Sequence, residues 1–310
     1  MEDNCQTNKA MAEGQHEDGS LPLLSIIVPT YKRAEYIERC LVSLFKETED
    51  YYPNTEIIVI DGGSEDGTVE LLKEYGSKIA YWVSERDSGI SEAVNKGLTR
   101  ARGEIVYIIG DDDELLPGSA LYMVRYLEEH LETDGVFAVG EYFQESSTGD
   151  LVKISVPPPP AGRLTLESFL SISAEFGSPA VELQFTRKRV FDQFGGYDLR
   201  FNFWAPLDMW CRHVKSGAVF QQVSRVIAKR YYTPKSSNMN VDWDSFWKEK
   251  NAILLRHGGR GVVFYGAVKW FVGHARRSWQ RFLEITFSIR SRLGLRRKTL
   301  ADLIGRKLHP

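Results

Sequence analysis

Four apolar runs without alternation mark the first third of the chain: "LLSIIVPTYKR", "TEIIVIDGGSEDGT", "KIAYWVSERD" and "EIVYIIGDDDELLP". Unbroken β-forming runs are the pattern of strands buried on both faces. Helical periodicity fills the gaps. "YIERCLVSLFKET" sets Ile37, Cys40, Leu41, Leu44 and Phe45 on one face, and "ISEAVNKGLTRA" turns Ile90, Ala93, Val94, Leu98 and Ala101 inward. "TVELLKEY", with Asp66 as its expected N-cap, and "GSALYMVRYLEEH" are the other two helices. Strands alternating with helices at this spacing predict βαβ units and a mostly parallel sheet.

The pattern changes after about residue 135. "GVFAVGEYFQES" and "LVKISVP" read as a strand pair joined by a Thr-Gly turn, and "PPPP" (157–160) as a stiff connector. A short helix near 165–172, a loop at "FGSPAVE", a helix from about Arg187, the turn "GGYD", the segment "PLDMWCRHV" and a late strand "AVFQQVSRVIAKRYY" follow. The expected organisation is a disordered acidic tail over 1–20, an ordered domain over 21–255 with halves 21–135 and 136–255, and a basic amphipathic extension over 256–310.

In parallel sheets, ligands bind at the carboxyl ends of the strands. Those ends carry Pro29-Thr30-Tyr31, Asp61-Gly62-Gly63-Ser64, Ser84-Glu85-Arg86-Asp87 and Asp111-Asp112-Asp113, so four polar clusters should meet at one cleft. Three adjacent carboxylates repel one another unless something positive gathers them. With no His or Cys nearby, the donor set suits Mg²⁺ or Mn²⁺, which usually brings phosphate oxygens with it. The bland alternative is a solvated acidic loop capping the next helix. No GxGxxG follows a strand, and neither GxxxxGK[ST] nor GxSxG occurs.

Composition sharpens this picture in two places. The three cysteines are odd in number and far apart, residues 1–20 lack an apolar signal core, and no apolar run is long enough to span a bilayer. These features predict a cytoplasmic protein. The formal net charge of −3 hides an asymmetry: from Arg260 onward, twelve Lys and Arg face only Glu284 and Asp302, a tail of +10. Its interleaved aromatic residues suit peripheral contact with the inner face of a membrane. No nucleic-acid module accompanies the charge, so nucleic acid is not an expected partner.

The stretches "SIIVPTYKRAEYIERCLVSL", "EIIVIDGGSEDGTVELLKEY", "SERDSGISEAVNKGLTRARGEIVYIIGDDDELLPGSAL" and, more weakly, "FTRKRVFDQFGGYDLRF" resemble the family 2 glycosyltransferases in order and spacing. The resemblance covers about half the chain. It implies an α/β GT-A fold: a Rossmann-like, mostly parallel sheet with helices on both faces, here followed by the basic helical tail. The first half of the domain would bind a nucleotide sugar and the second an acceptor. The implied activity is inverting, metal-dependent sugar transfer from a UDP-sugar or related donor to a glycan or lipid-linked acceptor in polysaccharide synthesis.

By the same resemblance Pro29, Thr30 and Tyr31 line the nucleotide pocket, and Asp61 bonds the base. Asp87 and Asn95 lie near the donor sugar and diphosphate. Asp113 is the better metal ligand, and Asp112 is closer to the ribose. Gly110 stands where relatives often carry an Asp, leaving Asp111 as a substitute ligand or a bystander. Relatives usually show Asp-x-Asp before an Arg, the first Asp acting as base; here Pro206 holds that position and Asp208 the second, ahead of Arg212. The base is therefore Asp208, through a local backbone shift, or Glu182 in "GSPAVELQF"; Asp208 as a purely structural residue is the alternative. "QQVSRV" resembles the Gln-x-x-Arg-Trp motif of processive relatives, but Val226 replaces the Trp. The missing Asp at 206 keeps open a second reading, an inactive GT-A domain that only binds a nucleotide sugar or a partner.

Overall fold

A computed structural model describes residues 6–7, 23–146, 148–156, 161–175, 183–233, 242 and 244–258. The strands are β1 (Gln6–Thr7), β2 (Leu24–Thr30), β3 (Thr55–Asp61), β4 (Tyr81–Ser84), β5 (Ile105–Ile108), β6 (Glu114–Leu115), β7 (Gly135–Glu145), β8 (Leu151–Ile154), β9 (Gly162–Leu164), β10 (Gln184–Arg187) and β11 (Phe220–Tyr232). The helices are α1 (Ile37–Asp50), α2 (Thr68–Glu74), α3 (Ile90–Arg100), α4 (Ser119–Glu129), α5 (Leu166–Glu175), α6 (Lys188–Phe194) and α7 (Ala205–Lys215), with α8 over 244–258.

The four apolar runs are four neighbouring parallel strands, in the order β4-β3-β2-β5. Every residue of β2 is buried, as a strand covered on both faces requires. Thr30 lies opposite Asp61, and Asp61 opposite Ser84, so the polar strand ends are flush and form one rim.

Two features depart from the sequence reading in this half. Gln6 and Thr7 add a short antiparallel strand at the edge, against Ser84 and Val83; the remainder of the expected disordered tail lies outside the described residues. Gly67, in the left-handed region at φ 101°, caps α2 where Asp66 was expected. Asp66 still receives the Thr68 N–H and the Ala34 N–H, so it ties this turn to the loop after β2.

The second half joins through β10, which enters antiparallel between β5 and β7. Its four residues are too short to show a period, and the sequence reading placed no strand there. Burial decides the matter: Phe185 is fully enclosed and stacks on Tyr107 at 4.3 Å. The expected β7–β8 hairpin is present, and β11 runs parallel to β7 with register shifts around Val226. The helix α8 runs through the expected boundary at 255, so Arg256 and His257 pack with the second half of the domain, against Asp208. Among the described residues, no helix is long and apolar enough to cross a membrane. The basic tail lies outside the described residues.

A second aromatic core packs α5 and α7 on this half, with Trp210, Phe137, Phe169 and Phe220 in mutual ring contact. His213 is fully buried beside it. Its Nε2–H donates to the Gly195 carbonyl at 2.8 Å, while Nδ1 is buried without a partner. Protonation would therefore put a charge and an unsatisfied N–H into the core, and burial pulls the His213 pKa from 6.5 down to about 4. Above pH 6.5 both folded and unfolded forms are neutral and nothing changes. Below it the unfolded chain takes the proton first, so stability falls with pH until the folded pKa is reached. The expected loss from this residue is about 2 kcal/mol between pH 7 and pH 5. Urea unfolding of the wild type and of His213→Phe at both pH values measures it: the variant should lose that much less on acidification.

Candidate active site

The flush strand ends open on a cleft of about 630 Å³. All four clusters contribute, through Pro29–Tyr31, Gly62 and Gly63, Arg86 and Asp87, and Asp111 and Asp112. The sequence reading missed Arg230, Tyr231 and Tyr232 at the end of β11, which join the cleft lining beside the acidic loop. The pairings of β11 with β7 and β6 bring residues so distant in the chain to the cleft, and no local signal marks them. Lys32, Arg33, Glu65, Gly89 and Ile90 complete the lining.

Asp61 is at the centre of the rim but not in the cleft. Its carboxylate is fully buried and accepts the N–H groups of Gly63 and Ser64 and the hydroxyls of Ser64 and Ser84. Ser64 Oγ in turn accepts the Lys32 N–H at 2.6 Å. Asp61 thus shapes the turn after β3 and couples it to the loop after β2. Gly63, at φ 83°, supplies the left-handed residue this turn needs. The expected nucleobase residue is thus outside the cleft lining, with its carboxylate turned to protein donors.

The carboxylate triplet divides. Asp111 and Asp112 line the cleft, whereas Asp113 points behind it, accepting the Tyr231 N–H at 2.9 Å and facing Arg230 at 3.3 Å. Arg39 anchors the same loop: it donates to the Asp112 carbonyl at 2.7 Å and lies over the Tyr231 ring. Of the two residues expected at the metal and the ribose, Asp112 is thus in the cleft lining and Asp113 is bonded to β11. Asp111 is nearly enclosed, and burial, then the neighbouring Asp112 charge, raise its pKa; Arg33, 3.4 Å away, offsets part of this.

Two adjacent carboxylates in a shielded recess fit a hard divalent cation, whose remaining ligands would be water and phosphate oxygens. Among the described residues, no group of three or more His, Cys, Asp or Glu side chains is arranged to hold a metal. A pair of carboxylates is what a cation shared with a diphosphate needs from the protein.

Asp87 lines the cleft, its carboxyl pKa raised by burial, and caps α3 through the Gly89 N–H at 2.9 Å. Asn95, expected near the donor sugar and diphosphate, is outside the cleft lining. Its amide brackets Tyr197, donating to the carbonyl and accepting the N–H, both at 2.9 Å, and so pins the "GGYD" turn. Asp208, on the first turn of α7, is completely buried and outside the cleft lining. It faces Arg212 at 2.8 Å, Arg256 at 3.0 Å and His257 at 2.8 Å. Burial alone would raise its pKa, but these hydrogen bonds and charges outweigh it and the net shift is downward. A buried carboxylate hydrogen-bonded by Arg212, Arg256 and His257 is a poor proton acceptor, and this geometry suits a clamp between α7 and α8 better than the expected base. Glu182 lies outside the described residues.

Flush polar strand ends, with acidic, basic and aromatic side chains lining one cleft, define an α/β protein that binds its ligand at the carboxyl ends of parallel strands. The family profile described as Glycosyl transferase family 2 matches residues 25–181, and the chain belongs to that family of glycosyltransferases. A PGL/p-HBAD biosynthesis glycosyltransferase of Mycobacterium bovis (strain BCG) is 26% identical over 214 residues, 68% of this chain and 77% of the relative. An uncharacterized glycosyltransferase of Rickettsia typhi is 24% identical over 249 residues, 76% of either chain. Among solved structures, S. aureus TarS 1-349 in complex with UDP-GlcNAc superposes with TM-score 0.56 at 19% identity, covering 76% of this chain and 67% of that one. A longer TarS structure gives TM-score 0.57 at 18% identity, and this chain spans 39% of its length. These likenesses show the GT-A fold.

Proposed function

We propose that the protein is an inverting, metal-dependent glycosyltransferase that moves a sugar from a UDP-sugar to a glycan or lipid-linked acceptor. The observation that carries this reading is the meeting of four strand ends and β11 at one cleft, lined by Asp111, Asp112, Arg33 and Arg230. The TarS complexes with UDP and UDP-GlcNAc support the choice of donor nucleotide. Arg33 and Arg230 would bind the diphosphate, and Tyr31, 53% exposed, offers a ring face to the base. Asp112, with Asp111 beside it, would hold Mg²⁺ or Mn²⁺; a cation bound there neutralises charge on the leaving nucleoside diphosphate.

With Asp208 enclosed, the proton of the acceptor hydroxyl falls to Glu182, in the segment leading into β10. Glu182→Gln is expected to lower turnover by about 10²–10⁴-fold, the range for a lost general base. The assay is nucleoside diphosphate release across a panel of nucleotide sugars and acceptors, with and without chelator. Pro206 and the enclosed Asp208 favour a second reading, an inactive GT-A domain that binds a nucleotide sugar or a partner. Donor binding without release for every sugar and acceptor would decide for that second reading.

The basic tail supports placing the cleft beside an acceptor at an anionic membrane surface, each Lys or Arg there adding about 1 kcal/mol. Sedimentation with liposomes of rising anionic content should retain the full chain and release one truncated after residue 258. Equal recovery of both in the supernatant at low salt would remove the membrane from this reading.

A further inference from the structure

We infer that Asp87, rather than Asp61, reads the nucleobase of the donor and selects uracil. The inference rests on the proposed function and adds the residue that sets donor specificity.

Three observations carry it. Asp61, at the end of β3, is sealed: four donors from Gly63, Ser64 and Ser84 converge on its carboxylate, and no part of it is exposed. Beside it, Gly62 leaves a gap. Gly62 is not among the glycines in the left-handed region, so its backbone does not demand glycine. Space does: a Cβ there would stand 3.2 Å from both carboxylate oxygens of Asp87 and 3.2 Å from the Tyr31 ring. Glycine at 62 therefore lets the Asp87 carboxylate and the exposed Tyr31 ring both close over this strand end, so that the two lie side by side on the cleft wall.

The third observation is the state of that carboxylate. Asp87 Oδ1 accepts the Gly89 N–H, and among the described residues Oδ2 accepts no hydrogen bond. Burial has already raised its proton affinity, as expected for a partly desolvated acceptor. Glu65, the other acidic side chain at this end of the cleft, is exposed to solvent.

A single open carboxylate oxygen beside a ring face matches one N–H on the edge of a flat heterocycle. Uracil presents such an edge, with its N3–H between two carbonyls. Cytosine and adenine present a ring lone pair there, which a carboxylate repels. Guanine presents two adjacent donors, whose best match is a carboxylate with both oxygens turned to the base, and Oδ1 of Asp87 is turned to the Gly89 N–H. Tyr31 supplies stacking that is indifferent to the base.

Calorimetric titration of the full chain with UDP, CDP, ADP and GDP tests this. The wild type should bind UDP best. Asp87→Asn keeps a carbonyl for the Gly89 N–H, so α3 remains capped, but its amide presents N–H where the base also presents N–H. UDP affinity should fall about 10- to 100-fold, while CDP, whose N3 accepts a hydrogen bond, should hold or gain. Tyr31→Ala should weaken all four nucleotides alike. A uniform loss across the four in Asp87→Asn, unchanged UDP affinity, or a wild type preferring another base overturns the inference while leaving the proposed function standing. A wild type that binds no nucleoside diphosphate overturns both.

Discussion

Asp112→Asn should lower turnover by about 10²–10³-fold while leaving the fold intact. Asp112 is on the cleft wall, and its backbone is held independently of its side chain by Arg39. The neutral amide keeps the shape and removes the charge. A carboxylamide is a poor ligand for a hard cation, and a cation at a leaving group accounts for several kcal/mol of charge stabilisation, which converts to rate at tenfold per 1.4 kcal/mol. Asp113→Asn is the control. Its Oδ1 can still accept the Tyr231 N–H, so the clamp persists and only the charge facing Arg230 is lost. The expected penalty is about 1–3 kcal/mol of stability with less than about a tenfold change in turnover. Steady-state rates and thermal unfolding of both variants separate the two roles. Collapse of activity in Asp113→Asn alone would return the metal to Asp113.

Asp208→Ala should destabilise the protein by about 3–5 kcal/mol, the usual consequence of removing one partner from a buried ionic cluster. It leaves Arg212 and His257, which face Asp208 at 2.8 Å each, without their common anion. Helix α8 would also lose its tie to α7, because Arg256 holds both Asp208 and Asp198. Arg212 retains the Phe194 and Gly196 carbonyls, which limits the loss. The milder Asp208→Asn keeps one acceptor and should cost less. Turnover per folded molecule of Asp208→Asn should stay near that of the wild type. Denaturant unfolding supplies the folded fraction, and donor release supplies the rate. A fall of 10²–10⁴-fold in fully folded Asp208→Asn is the general-base signature and would restore Asp208 to catalysis.

The parallel half of this fold was legible in the sequence because its signals are local. A strand buried on both faces must be apolar at every position, and β2 and β5 are written that way. The amphipathic faces of α1 and α3 follow the same logic, with Cys40, Leu41 and Leu44 on one and Ala93 and Val94 on the other. Polar clusters at the ends of adjacent strands can only meet at one rim, so the location of the cleft and the family both followed from residues 24–121.

Tertiary structure decided what local pattern cannot carry. β10 is four residues long, and its place between β5 and β7 is set by the burial of Phe185 against Tyr107. Arg230 and Tyr231 reach the cleft because β11 pairs with β7 and β6, more than a hundred residues after the acidic loop they face. The roles of the carboxylates were equally hidden. Asp61, Asp113 and Asp208 are chemically the same as Asp87 and Asp112, and spacing along the chain cannot tell a side chain aimed into solvent from one aimed at a buried amide or guanidinium. Three of these acids found donors inside the protein and became structural. The other two, Asp87 and Asp112, line the cleft.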